Sequence, residues 1–181
     1  MVERVTGSDA LDRVRSVIGD KARDAKENFG QVDFICDRAD LVEVITSLRD
    51  EAGFKFFTFL SAVDRTELAE DKTAYGSGLE VLIHLYAPDQ TMHVNIHVPV
   101  DLEDPRCPSL TDLFGGALWH ERECHEMFGI DFEGHPRLVN LYLPEDFVGH
   151  PGLKSFKLPS RSVVKDWPGA KDPEEAAAGG R

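Results

Sequence analysis

The stretch from residue 79 to residue 100 leaves this chain few ways to fold. "LEVLIHLYA" (79–87) and "TMHVNIHVPV" (91–100) alternate apolar and polar side chains at the two-residue period of a pleated strand, and only "PDQ" separates them. So short a connection joins antiparallel neighbours, so the pair predicts two consecutive strands of a meander. "FKFFTFLSAVD" (54–64) is dense in phenylalanine and predicts a third strand, buried on both sides. The polar run from Arg65 to Gly78, with Gly76 near its end, predicts a loop or long hairpin connection.

Upstream, Leu11, Val14, Val17 and Ile18 recur at helical spacing in residues 8–28, with Ser8 or Asp9 as the N-cap. Val32, Phe34 and Cys36 alternate as a short strand, and Leu41, Val44, Ile45 and Leu48 share one helical face that Gly53 should stop. After the acidic, proline-punctuated loop "DLEDPRCPS", helical periodicity returns in "LTDLFGGALWHERECHEMFG", where Gly115 and Gly116 are possible breaks. The order helix, strand, helix, three strands, helix predicts an α+β domain, its mixed or antiparallel sheet carrying the helices on one face. That domain is expected over residues 1–129, followed by an extended arm over 130–175 and a frayed tail over 176–181.

The arm has no regular pattern, and structureless segments of such length are uncommon in compact domains. Phe132, Leu138, Leu141, Phe147, Phe156 and Trp167 give it many apolar anchors. Such a segment is expected to lie over another protein; the alternative is a coil wrapping its own domain.

Composition narrows the function classes. A net charge of −13 repels phosphate backbones and anionic lipid, which argues against nucleic-acid binding and direct membrane insertion. The start "MVERVTGSDALDRV" lacks the apolar core of a signal peptide, which predicts a cytoplasmic chain. Cys36, Cys107 and Cys124 are far apart and form no CxxC pair, against a disulfide framework, an iron–sulfur cluster or a structural zinc site. No glycine-rich phosphate loop appears; "GSG" at 76–78 is short and leads into no helix. The reading is therefore of a chain without metal, flavin or nicotinamide.

The tempting chemistry lies in "LWHERECHEMFG" (118–129). His120, Glu121 and His125 approximate the metalloprotease pattern, but that pattern needs histidines four residues apart. Here they are five apart, about 140° around a helix, and cannot share one ion. Cys124 paired with His84, His93 or His97 lacks an oxyanion turn, so the cysteine reads as a core residue and the strand histidines as surface or satisfied core residues. In a continuous helix Glu121 falls in the apolar stripe of Leu113, Ala117, Cys124 and Phe128, with Arg122 roughly opposite and Glu123 to the side. A carboxylate there needs an arginine, a lysine or backbone donors, and a structural ion pair is the preferred expectation.

The same stretch resembles a known family. Glu121, Arg122, Glu123, then Glu126, Met127, Phe128, then His135 and Pro136 match the signature of the 30-kilodalton subunit family of respiratory complex I, which includes the C subunit of the bacterial NADH–quinone oxidoreductase. "Leu-Pro-Glu-Asp-aromatic", with Glu145 and Asp146, and "Gly-His-Pro", with His150 and Pro151, follow in the family's order. The chain departs from it at Val139 and Asn140, where members usually carry basic residues, and in "GLKSFK". The resemblance covers roughly residues 30–157 and implies an α+β subunit with no catalytic, cofactor or metal site of its own. Its implied place is peripheral, on the cytoplasmic face of the cell membrane, in a proton-translocating complex that carries FMN and iron–sulfur clusters elsewhere. The implied partners are the 49-kilodalton-type quinone-site subunit, the small iron–sulfur subunit and other peripheral-arm subunits, and the signature residues are implied to dock and brace. The same family includes subunits of energy-converting membrane-bound hydrogenases and related quinone reductases, so NADH is one of several possible donors. A stand-alone metal-dependent hydrolase built on the histidines is the rival enzyme reading.

Overall fold

The computed structural model describes residues 7–68 and 78–158. Along the chain run helix α1 (Gly7–Ile18), a 3-10 turn (Gly19–Lys21), strands β1 (Arg23–Asn28) and β2 (Gln31–Ile35), and helix α2 (Leu41–Asp50). Strands β3 (Phe56–Asp64), β4 (Leu79–Ala87), β5 (Met92–Val100) and β6 (Arg106–Pro108) follow, then helix α3 (Ala117–Phe128) and strand β7 (Asp131–Glu133). Five strands form a mixed sheet in the order β1-β2-β5-β4-β3; only β2 and β5 run parallel within it. The β3-β4 and β4-β5 pairings are the predicted meander, and the α+β class is as expected.

Register explains the core. Ile83 stands between Leu60 and Ile96, and Ile96 lies beside Phe34, so one apolar row crosses four strands. Alternation adds Val81, Leu85, Val94 and Val98 to that side. Against it pack Ala10, Val14 and Ile18 of α1, Leu41, Val44, Ile45 and Leu48 of α2, and Ala117 and Cys124 of α3, in one continuous cluster. At about 25 cal/mol per Å² of apolar surface, each fully buried Leu or Ile in it contributes roughly 2 kcal/mol.

Four local expectations need correction. The helix expected over 8–28 ends at Ile18, because Gly19 takes a φ of +55° and the chain turns into β1. "RDAKEN" has no apolar alternation, yet it pairs with β2 as the sheet's edge; ladder bonding overrides local helix propensity. β3 is not buried on both sides: Phe56 is 55% exposed. The helix expected from residue 110 begins only at Ala117, after turns through Gly115 and Gly116. Residues 69–77, which include Gly76, and the anchor Trp167 lie outside the described residues.

The segment expected to leave the domain at residue 130 begins inside it. Ile130 and Phe132 are buried in the core cluster, and β7 pairs in parallel with β6. Strands of three residues are too short to show a period, so nothing in the sequence announces that pairing.

Candidate functional site

Gly129, with a φ of +77°, ends α3 and donates its N–H to the His125 carbonyl at 2.9 Å. The helix before it carries two differently employed faces. On the inner face Glu121 is fully buried. Its Oε1 accepts the Leu110 N–H at 2.6 Å and its Oε2 accepts the Ser109 hydroxyl at 2.7 Å. The expected ion pair is therefore replaced by a backbone amide and a hydroxyl, donors that leave no mark at a fixed sequence spacing. Burial pushes the Glu121 pKa up; the Leu110 and Ser109 bonds oppose that without cancelling it. Its role is to fasten the loop before α3 to the helix. Cys124, one turn on, is 1% exposed, and burial pushes its thiol well up, so it packs as a core residue and offers no nucleophile.

The outer face grips the segment that follows. Arg122 donates from Nε to the Val139 carbonyl at 2.8 Å and from Nη2 to the Asn140 carbonyl at 2.6 Å, and its guanidinium lies 5.2 Å from the centre of the Trp119 ring. Glu126 accepts the amides of Leu141 at 2.7 Å, of Tyr142 at 3.0 Å, and of Leu143. Burial alone would raise the Glu126 pKa, but these three donors, aided by the Arg122 charge, leave it lowered. His135 donates from Nε2 to the Leu118 carbonyl at 3.1 Å while its Nδ1 accepts the Arg137 N–H at 3.0 Å. His150 donates from Nδ1 to the Glu126 carbonyl at 2.9 Å, and the Gly152 N–H reaches the Met127 carbonyl at 2.7 Å.

The signature residues thus act within the chain. Arg122, Glu126, His135 and His150 staple residues 135–152 along α3, and Arg122 meets carbonyls of its own chain. The departure at Val139 and Asn140 costs this clamp nothing, because it uses their backbone oxygens. Glu145, Asp146 and Pro136 are exposed and Pro151 is half-buried. Glu123 lines a cleft of about 120 Å³ with Trp119, His120, Leu141 and Tyr142. A second cleft of about 470 Å³ is lined by Arg122, Arg137, Val139, Asn140, Leu143 and Glu145.

The two histidines of the helix diverge as their spacing requires. His120 donates to the Leu60 carbonyl and His125 to the Ile130 carbonyl, each at 2.9 Å. Among the described residues no group of three or more His, Cys, Asp or Glu is placed to hold a metal ion. Nor is any described helix long and apolar enough to cross a membrane.

What the arm leaves outside is an apolar rim. Tyr142 is 65% exposed, Trp119 58% and Val148 88%, and Val139 and Phe147 are exposed as well. Trp, Tyr and Arg are the residue types that dominate binding hot spots. Of the expected anchors, Phe132 is core, Leu138 packs partly buried against it, and Phe147 and Phe156 stack on each other with centroids 6.0 Å apart. Sequence reasoning misses Trp119 because it sits inside the helical signature, where its exposure depends on which face the arm covers.

The opposite side of the sheet carries a polar network that alternation alone exposes in hindsight. Arg65 bonds Glu80 at 2.6 Å, Glu80 bonds His97 Nδ1 at 2.6 Å, and Asn95 bonds Asp33 at 2.8 Å and Gln31 at 2.9 Å. Burial would raise the Glu80 pKa, but His97 and Arg65 leave it lowered. The expectation of satisfied histidines is met at His97 Nδ1, which bonds Glu80, whereas His97 Nε2 lies 3.6 Å from Asp33 Oδ1, beyond hydrogen-bond distance. The expectation fails for His84, whose Nδ1 is buried with no hydrogen-bond partner while its Nε2 lies 3.2 Å from His93 Nδ1. Burial lowers the pKa of both rings of that pair.

Comparison with known proteins accords with this fold. The family profile described as "Respiratory-chain NADH dehydrogenase, 30 Kd subunit" matches residues 34–162. The C subunit of the NADH-quinone oxidoreductase of Mesorhizobium japonicum is 30% identical over 136 residues, covering 73% of this chain and 65% of that protein. The corresponding C subunit from Brucella ovis is 33% identical over 127 residues, 69% of this chain and 59% of that protein. That of Saccharopolyspora erythraea is 29% identical over 135 residues, 74% of this chain and 52% of its own. The chain thus spans about half to two thirds of the length of these relatives. Among solved structures, a trypsin-resistant fragment (1–134) of Nqo5 superposes with a TM-score of 0.62 at 29% identity, covering 71% of this chain and 99% of the fragment. A chain of a membrane-bound sulfane sulfur reductase, an archaeal respiratory membrane complex, gives 0.71 over 92% of this chain and 96% of its own. At 19% identity that second likeness concerns the fold alone. With its matched region running from the end of β2 through β3, β4, β5, α3 and the clamped segment, the chain belongs to the 30-kilodalton subunit family of respiratory-chain NADH dehydrogenase.

Proposed function

We propose that this chain is a cofactor-free subunit of the peripheral arm of a proton-translocating NADH–quinone oxidoreductase, held on the cytoplasmic face of the cell membrane through the complex. Its part is to brace the quinone-site and small iron–sulfur subunits while electrons pass through centres carried by other chains. The observation that supports this most is the clamp. Glu126, Arg122, His135 and His150 hold an otherwise irregular segment in one shape, and that shape presents Trp119, Tyr142 and Val148 to a neighbour. A surface pre-organised before contact loses less conformational freedom on binding. Glu145 and Asp146, exposed beside it, are the rim charges that set orientation.

The experiment is affinity purification of the tagged chain from mildly solubilised membranes of its source, with mass spectrometry of what accompanies it. The expected result is a stoichiometric set that includes iron–sulfur and flavin-bearing subunits and reduces quinone with NADH. An assembly with hydrogenase-type donor subunits would select the alternative, the equivalent subunit of an energy-converting hydrogenase or related quinone reductase. Recovery of the chain alone, or with a stoichiometric metal of its own, would overturn the proposal.

A further inference from the structure

The tip of the β1-β2 hairpin presents a residue that nothing among the described residues explains. Asn28 pairs with Gln31, so Phe29 and Gly30 form a two-residue loop. Both have positive φ, +52° and +80°, the hairpin geometry for which Asn-Gly is the favoured sequence. A bulky residue in the left-handed region is strained. This one is also 97% exposed, so its ring gains no packing among the described residues in return. The loop is firmly set, since the Gly30 N–H donates to Glu27 Oε1 at 2.6 Å. One position therefore combines an unfavourable backbone with a fully solvated aromatic ring.

We propose that Phe29 is a second docking anchor, inserting into an apolar pocket on a neighbouring protein subunit of the same assembly. This rests on the reading of the chain as a subunit of a larger complex and adds a contact remote from the clamp. A convex tip needs a concave partner. A lipid surface is disfavoured, because the chain carries a net charge of −13 and Glu27 is exposed beside the tip. A second copy is disfavoured by area: one phenylalanine buries about 150–250 Å², against roughly 1,200 Å² for a stable interface. So small a contact works only as an addition to another. The other is the α3 surface: α3 packs along β3, and β1 is at the opposite edge, four strand spacings or about 19 Å away. Contacts at both edges make the chain a bridge between neighbours. Phe29 precedes the residues that match the family profile, 34–162.

Two measurements test it on the full chain. Phe29→Asn relieves the turn and removes the anchor, so the isolated chain should melt at the same temperature or about 2 °C higher. Its recovery in the solubilised complex, in competition with wild type, should fall about tenfold. A benzophenone amino acid placed at position 29 should crosslink to a polypeptide of the complex, and the same group placed at position 142 serves as reference. Crosslinks at both positions support the anchor. A crosslink at 142 alone, or one from 29 to lipid or to a second copy, overturns the anchor while leaving the assembly reading intact. No crosslink at either position overturns both. Unchanged recovery of Phe29→Asn in the complex also overturns it.

Discussion

The two faces of α3 bury glutamates for opposite purposes. Glu121 turns toward the core and is met by one amide and one hydroxyl; Glu126 turns toward the following segment and is met by three consecutive amides. Their pKa values move in opposite directions, up for Glu121 and down for Glu126, although both are buried. The difference teaches that burial and donors to the charged form oppose each other: burial prevails over two donors at Glu121, whereas three amides and the Arg122 charge prevail at Glu126. It also separates two tasks. The inner face completes the domain, whereas the outer face fixes the shape that the domain offers to others.

The largest expected effect is at Glu126. Glu126→Ala removes the acceptor shared by Leu141, Tyr142 and Leu143 and strands their amides. Hydrogen bonds to a charged group contribute about 1.5–3 kcal/mol each, but amides freed near the surface recover water, so the net loss should be roughly 3 kcal/mol. Limited proteolysis should then cut within residues 135–152, while amide exchange in β4 and β5 stays slow. Equal loss of protection in both regions would mean that the two faces are one cooperative unit, and the comparison would fail.

Next in size is Gly152→Ala. A β-carbon there would stand 2.7 Å from the Met127 carbonyl oxygen and 2.8 Å from the Phe128 ring. Backbone cannot yield as a side-chain end does, so the last turn of the clamp must lift away at about 1–3 kcal/mol. The signature is loss of the His150 contact, read as a changed imidazole resonance, with the core signals unmoved. If the variant is as stable as wild type, the segment after His150 is looser than its bonds to α3 suggest.

How much of this is legible in the sequence follows the same division. The meander, the face of α2 and the burial of Cys124 can be read, because burial against a sheet or helix imposes a period that the sequence must show. The family signature locates the site's residues, Glu121 through Pro151, but not their work. Their partners are backbone amides and carbonyls, which every residue supplies and no spacing reveals. For that reason the resemblance implies a docking role for Arg122, whereas its guanidinium serves the Val139 and Asn140 carbonyls of its own chain. β1 is unreadable for a related reason: as an edge strand it needs ladder bonds and no apolar face, and its charges guard the open edge.

The smallest effect is the most discriminating, and it concerns Glu121. Glu121→Gln keeps the shape, and the amide can still accept from Leu110 while its NH₂ donates to a rotated Ser109 hydroxyl, just as a protonated carboxyl would. The variant therefore mimics the protonated wild type. A carboxyl whose folded pKa is raised above its ordinary value near 4.5 contributes most favourably below that value, and the contribution is lost as pH rises through the folded pKa. Glu126, whose folded pKa is lowered, has the reverse dependence, with stability present above about 4.5 and lost in acid. Denaturant titrations of wild type and Glu121→Gln should accordingly agree within about 1 kcal/mol at pH 4, and the variant should gain on wild type toward pH 8. Removing one member of a buried ion pair instead costs roughly 3–5 kcal/mol with the carboxylate charged. A loss of that size at pH 8, shrinking as the pH falls, would reveal a cation against Glu121 and restore the ion pair on the inner face.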